Sequence, residues 1–133
     1  MNYDIADNHY SDDHAERVKD TGEVFTPEWL AIKMLNTLDV DWDNPPQDKT
    51  FLDPTCGSGN LLVVLANRGI PVDMLYGVDL MEDNVETTKR RLREIFGDTD
   101  AVNKTLDNNV RREDALVYDY SFSDIDQGAD ALF

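Results

Sequence analysis

Apolar positions in this chain fall into short blocks whose period changes from one to the next. The first 20 residues are acidic and polar, with no sustained period. In "TGEVFTPEWLAIKMLNTL", Leu30, Met34 and Leu38 recur at i, i+4, i+8, a spacing that predicts a helix with one apolar stripe. Thr26 suits its N-cap, Pro27 its first position and Glu28 its positive end. Residues 39–49 contain two prolines and four aspartates and read as a loop. "TFLDP" is a short strand stopped by Pro54, "TCGSGN" is a turn, and "LLVVLANRG" is a helix ending near Gly69. "MLYGVDL" is a second strand. "MEDNVETTKRRLREIFG" is a further helix, with Val85, Thr88, Leu92 and Ile95 on one face and Gly97 just past its end. "DTDAVNKTLDNN" reads as a polar connection, "ALVYDY" as a third strand preceded by Asp114, and the closing "ADALF" as the start of a fourth.

Helices and strands therefore alternate, which predicts the α/β class: a partial parallel sheet of three to four strands, flanked by helices and joined by right-handed crossovers. Two segments are expected, a weakly structured acidic one over residues 1–20 and a folded domain over 21–133. A chain of 133 residues builds one core rather than two.

Charge changes the picture in one respect. With 12 basic against 28 acidic residues the net charge is −16, the opposite of what phosphate contacts demand. The acids are spread along the whole chain, as solubility requires and as an imitation of DNA would not be. Lys89, Arg90, Arg91 and Arg93 form a basic cluster that reads as the solvated side of a helix. The single cysteine, Cys56, excludes an internal disulfide and fits a reducing compartment. The N-terminus lacks a signal-peptide layout and no apolar run approaches the roughly 18 residues of a membrane span. A cytoplasmic protein without membrane contact is expected.

The candidate chemistry lies where strands end. In parallel sheets, ligands bind beyond the carboxyl ends of the strands. The first strand ends in Asp53 and runs into Gly57-Ser58-Gly59, a turn in which glycines let the backbone approach a ligand. Asp79 follows Gly59 by 20 residues and ends the second strand, the position from which an acid accepts hydrogen bonds from ribose hydroxyls. Asp114, at the third strand, is placed to reach an adenine amino group. A dinucleotide fingerprint would need a third glycine at position 62, which is Leu62, so NAD is disfavoured. Cys56 reads as a small buried loop residue and not as a nucleophile, because no accompanying base is in evidence. No metal ligands are assigned.

"TGEVFTP", "FLDPTCGSGNLL", "GVDL" and "EDAL", in that order, resemble the motifs of the amino-methylating DNA methyltransferases of the N6-adenine type, over roughly residues 21–133. The resemblance implies a Rossmann-like methyltransferase fold, here truncated, and S-adenosylmethionine as cofactor. Phe25 and Thr26 would hold the methionine end and Asp53 the amino group. Cys56, Gly57 and Gly59 would shape the loop beneath the cofactor. Asp79 would bind the ribose hydroxyls and Asp114 the adenine amino group, with Leu80 and Ala115 flanking the ring. The family's catalytic motif is Asn or Asp, then Pro-Pro, then an aromatic, after the fourth strand. Here Asn44-Pro45-Pro46 is followed by Gln47 and precedes the first strand, so it reads as a turn, and no catalytic residue is assigned. The sequence ends where the fourth strand would begin. The expectation is a cofactor-binding domain that needs a partner chain for methylation and reaches DNA only through it. The alternative is a non-catalytic module that regulates or competes with a methylation system. An unpaired first strand would leave a sheet edge for a homodimer or a partner protein.

Overall fold

The computed structural model describes residues 26–122. The acidic N-terminal segment, Phe25 and "ADALF" lie outside the described residues. In chain order the elements are α1 (Glu28–Asn36), β1 (Phe51–Asp53), α2 (Asn60–Asn67), a 3-10 turn (Val72–Met74), β2 (Leu75–Asp79), α3 (Glu82–Phe96), α4 (Asp100–Asn109) and β3 (Val110–Arg112). The three strands form a parallel sheet in the order β1-β2-β3. This is the partial parallel α/β sheet, flanked by helices, that the alternation predicts and that a Rossmann-like fold requires.

Register decides which side chains meet the helices. Phe51 pairs with Leu75, and Gly77 with Val110. Leu75 and Val110 are fully buried in the core with Leu62 and Leu65 of α2, Leu92 of α3 and Leu106 of α4. Leu52, Tyr76, Val78 and Arg111 alternate onto the opposite face. There the ring of Phe122 meets that of Tyr76 edge-on at 4.9 Å, and Phe122 also packs against Tyr118.

Leu62 also explains why a glycine is absent from α2. Close packing of the first helix on the sheet needs one partner without a side chain, and β2 supplies it. A Cβ on Gly77 would lie 2.8 Å from Leu62 Cδ1 and 3.1 Å from the Cys56 Cβ. The helix keeps its leucine because the strand carries the glycine.

Three elements differ from the sequence reading. In α1 the buried residues are Ala31 and Leu35, while Met34 and Leu38 stand about half exposed. The helix begins one residue later than expected, with Pro27 as N-cap and its carbonyl accepting from the Leu30 and Ala31 N–H groups. Residues 100–109, read as a connection, are α4. Thr99 caps it by accepting from the Val102 N–H at 3.2 Å, and Val102 and Leu106 turn inward at i, i+4. Two apolar residues suffice because a helix at a sheet edge needs only a narrow buried stripe. The third strand is accordingly Val110–Arg112 and not "ALVYDY". Asp114 Oδ1 accepts from the Leu116 N–H, and the Asp114 carbonyl from Val117 and Tyr118, so the chain turns there. Leu116 and Val117 consequently project into solvent. Among the described residues no helix is long and apolar enough to cross a membrane.

Candidate functional site

The carboxyl ends of β1 and β2 converge on the turn between β1 and α2. The turn is pinned to the sheet by the Cys56 N–H, which donates to the Val78 carbonyl at 2.8 Å, and closed by the Gly59 N–H, which donates to the Cys56 carbonyl at 2.8 Å. Gly57 and Gly59 both have positive φ, 56° and 91°. Gly59 could not be replaced even where backbone strain is tolerated, since a Cβ there would meet Thr88 at 2.9 Å.

Asp79 is buried and accepts three hydrogen bonds. Its Oδ2 accepts from the Gly57 N–H at 2.9 Å, and its Oδ1 from the Met81 N–H at 2.9 Å and Asn84 Nδ2 at 3.1 Å. The carboxylate thus holds the glycine turn and sits at the positive end of α3. Of the roughly four acceptor positions of a carboxylate, three are used. One ligand hydroxyl can be accepted as the site stands; a second requires one of these bonds to be released.

Asp53 is equally buried but, among the described residues, accepts only the Thr55 N–H, at 3.1 Å. Burial, and then repulsion from Asp79, hold its carboxyl above the ordinary value. Two buried carboxylates that repel one another, one of them short of donors, form a setting that favours a cation. Cys56 lies between them. Its thiol is pushed up by burial and by the same two carboxylates, and Sγ contacts Thr88 Oγ1 at 3.9 Å. It shapes the turn and is not an activated nucleophile.

Thr26 reaches the turn through Asn60. Asn60 Nδ2 donates to the Thr26 carbonyl at 2.7 Å, and its Oδ1 accepts from Arg91 at 2.9 Å. Arg91 therefore does not belong to the solvated basic side expected for it. Burial lowers its guanidinium from the usual value, and it points into the fold. The rest of the cluster is dispersed, with Lys89 on Asp107 and Glu86, and Arg90 on Glu94.

The third strand's contribution sits on the rim. Glu113 N–H donates to the Asp79 carbonyl at 3.0 Å, and Arg112 Nε to the Leu80 carbonyl at 3.0 Å. Asp114 follows β3 instead of beginning a strand, which brings it to the same edge as Asp53 and Asp79. It is exposed, as is Leu80, while Ala115 is half-buried and its carbonyl accepts from the Tyr120 hydroxyl. The structure thus gathers Thr26, Asp53, Cys56, Gly57, Gly59 and Asp79 at one turn, with Leu80, Asp114 and Ala115 beside it. Asn60, Asn84, Thr88 and Arg91 were missed. The available signal was the placement of Thr88 and Arg91 at i, i+3 on the helix that follows Asp79.

Asn44-Pro45-Pro46 is at the other end of the sheet. Pro45 abuts Gly69 beyond the end of α2, and Trp42 packs at 6.5 Å from Phe51, which opens β1. The length of α2, about 12 Å, separates this loop from the glycine turn. Asn44 Nδ2 donates to Asp41 at 3.1 Å, a local loop contact.

The profile of the N-6 DNA methylase family matches residues 8–114. A type II methyltransferase, M.VspI, of a Vibrio species is 30% identical over 125 residues, covering 93% of this chain and 27% of that protein. 2-phytyl-1,4-naphtoquinone methyltransferases are also similar. That of Trichormus variabilis is 33% identical over 48% of this chain and 29% of its own length; that of Nostoc punctiforme is 29% identical over 62% and 40%. The chain thus spans between about a quarter and two-fifths of these relatives. No solved structure matches it. With the glycine turn and the strand-end acids in place, and a match over most of its length, the chain belongs to the N-6 DNA methylase family.

Proposed function

We propose that this chain forms the S-adenosylmethionine-binding part of a DNA adenine-N6 methyltransferase. The observation that carries the reading is the pair Asp53 and Asp79 around a turn of two positive-φ glycines. S-adenosylmethionine has a sulfonium and an ammonium group, the cations this pair suits, and a ribose hydroxyl for the free acceptor position of Asp79. Asp53 would hold the ammonium. Leu80 and Ala115 would flank the adenine, with Asp114 at its amino group. The relatives support the donor side in particular. One is named as a type II methyltransferase and two as naphthoquinone methyltransferases, so what their names share is methyl transfer and not the acceptor. When bound, the cofactor supplies an electrophilic methyl group; the residues of this chain bind and orient it.

The same reading assigns the edge of β1 that is open among the described residues to a second chain, another copy or a partner protein. The test is a calorimetric titration of the purified chain with S-adenosylmethionine, with NAD as control. Stoichiometric binding of the first alone is expected. Absence of heat with either would leave the turn as scaffold and overturn the reading.

A further inference from the structure

The glycine turn is gripped from α3 at two successive carbonyls. Thr88 Oγ1 donates to the Gly57 carbonyl at 3.0 Å, and Arg91 Nη1 donates to the Ser58 carbonyl at 2.8 Å. Thr88 is fully buried and lies one helical turn before Arg91, so both reach the turn from one face. A trans peptide points its C=O and N–H in opposite directions. Holding these two carbonyls against α3 therefore directs the Ser58 and Gly59 N–H groups away from it. Gly59 N–H returns to the Cys56 carbonyl, whereas Ser58 N–H has no hydrogen-bond partner among the described residues, although Ser58 is buried. A buried backbone donor without a partner is costly unless a ligand meets it. Arg91 also bonds Asn60, which holds the Thr26 carbonyl, so one guanidinium nitrogen fixes both the turn and the chain entering α1.

We propose that Thr88 and Arg91 are positioning residues for the cofactor, setting the peptide planes of the turn so that the Ser58 N–H faces a ligand acceptor such as the cofactor's carboxylate. This rests on the cofactor reading above. Neither side chain needs to touch the cofactor; both act through the turn.

The test uses the full 133-residue chain. Arg91→Met keeps the apolar stem and removes the donors, and Thr88→Val keeps the shape and removes the hydroxyl. Affinity for S-adenosylmethionine is measured by calorimetry on the folded fraction, with thermal stability and backbone amide spectra recorded in parallel. Arg91→Met is expected to weaken binding about tenfold, the scale of a lost charged hydrogen bond. It should also move the Ser58 and Gly59 amide resonances before ligand is added. Arg91→Lys, whose one ammonium nitrogen can donate both bonds, should recover part of the affinity. Arg90→Met, one position along and paired with Glu94 at the surface, should leave it unchanged. A purely structural role would lower stability without changing the affinity of the folded fraction, and that result overturns the proposal. Should the wild-type chain itself fail to bind, the cofactor reading falls and this proposal with it. Binding by wild type and equally by Arg91→Met removes the grip alone.

Discussion

At the residue scale, Asp53 and Asp79 illustrate two uses of a buried carboxylate. Asp79 accepts three hydrogen bonds and organises its surroundings; Asp53 accepts one, and burial and repulsion from Asp79 raise its pKa. Because the folded pKa of Asp53 is raised, its contribution to stability is present below its unfolded value and is lost as pH rises through the folded value. Asp53→Asn should therefore unfold at a higher temperature than wild type at pH 7. The difference should vanish in acid, where the native carboxyl is already protonated, and melting curves across pH check this. The same variant should bind S-adenosylmethionine about tenfold or more weakly, because the ammonium loses its charged partner. Stability and binding thus move in opposite directions, as expected where a fold tolerates strain for a ligand. Asp79→Ala should lose both. It leaves three donors unpaired, and a cost of about 2 kcal/mol or more in urea unfolding is expected.

At the scale of elements, α1 is the sharpest test of the packing described. Leu35 is buried and its neighbour Met34 is about half exposed. Leu35→Ala should cost about 2–5 kcal/mol, whereas Met34→Ala should stay within about 0.5 kcal/mol, as denaturant curves would measure. A sequence stripe of Leu30, Met34 and Leu38 ranks these two the other way. Periodicity does not say which of two offset stripes is buried; the docking of α1 on α2 decides it. The same limit hid α4. Its two inward residues, Val102 and Leu106, give a weak period, and its place between α3 and β3 provides the rest. By contrast α3 was legible in its bounds and in the residues Val85, Thr88 and Leu92 of its buried face. It carries Glu82 and Asp83 in its first turn, Arg93 in its last and Gly97 as its C-cap, with Val85, Thr88 and Leu92 buried. Only Ile95, past the curve of the core, is left partly exposed. Local signals and tertiary packing agree on its bounds and on the core of its apolar face, which makes a helix readable from sequence.

At the scale of the whole molecule, β1 is the element left open among the described residues. Its residue Leu52 is 45% exposed on the face opposite the helices, and β2 pairs with only one of its edges. Bare parallel edges recruit strands. Self-association through β1 is expected in analytical ultracentrifugation at about tens of micromolar, and Leu52→Lys should abolish it, since a charge on an edge strand opposes pairing. A monomer under these conditions counts against the homodimer. The net charge of −16 is opposite in sign to what contacts with a phosphate backbone demand.

The sequence by itself determined the α/β alternation, the strand-turn-helix at Asp53 to Asn60, and the acid ending the second strand. All three rest on local rules: the change of hydrophobic period, the φ freedom of glycine and the position of charge at strand ends. Only the tertiary structure decided that Leu62 packs on Gly77, that Asp114 closes a strand instead of opening one, and that Arg91 turns inward to the glycine turn. It also set Asn44-Pro45-Pro46 at the opposite end of the sheet from the acids. Each of these depends on groups far apart in the chain meeting in space, Arg91 and Ser58 being 33 positions apart. Period and spacing report what one element can do. Which face it buries, and which backbone carbonyl its side chain meets, follows from the neighbours it packs against.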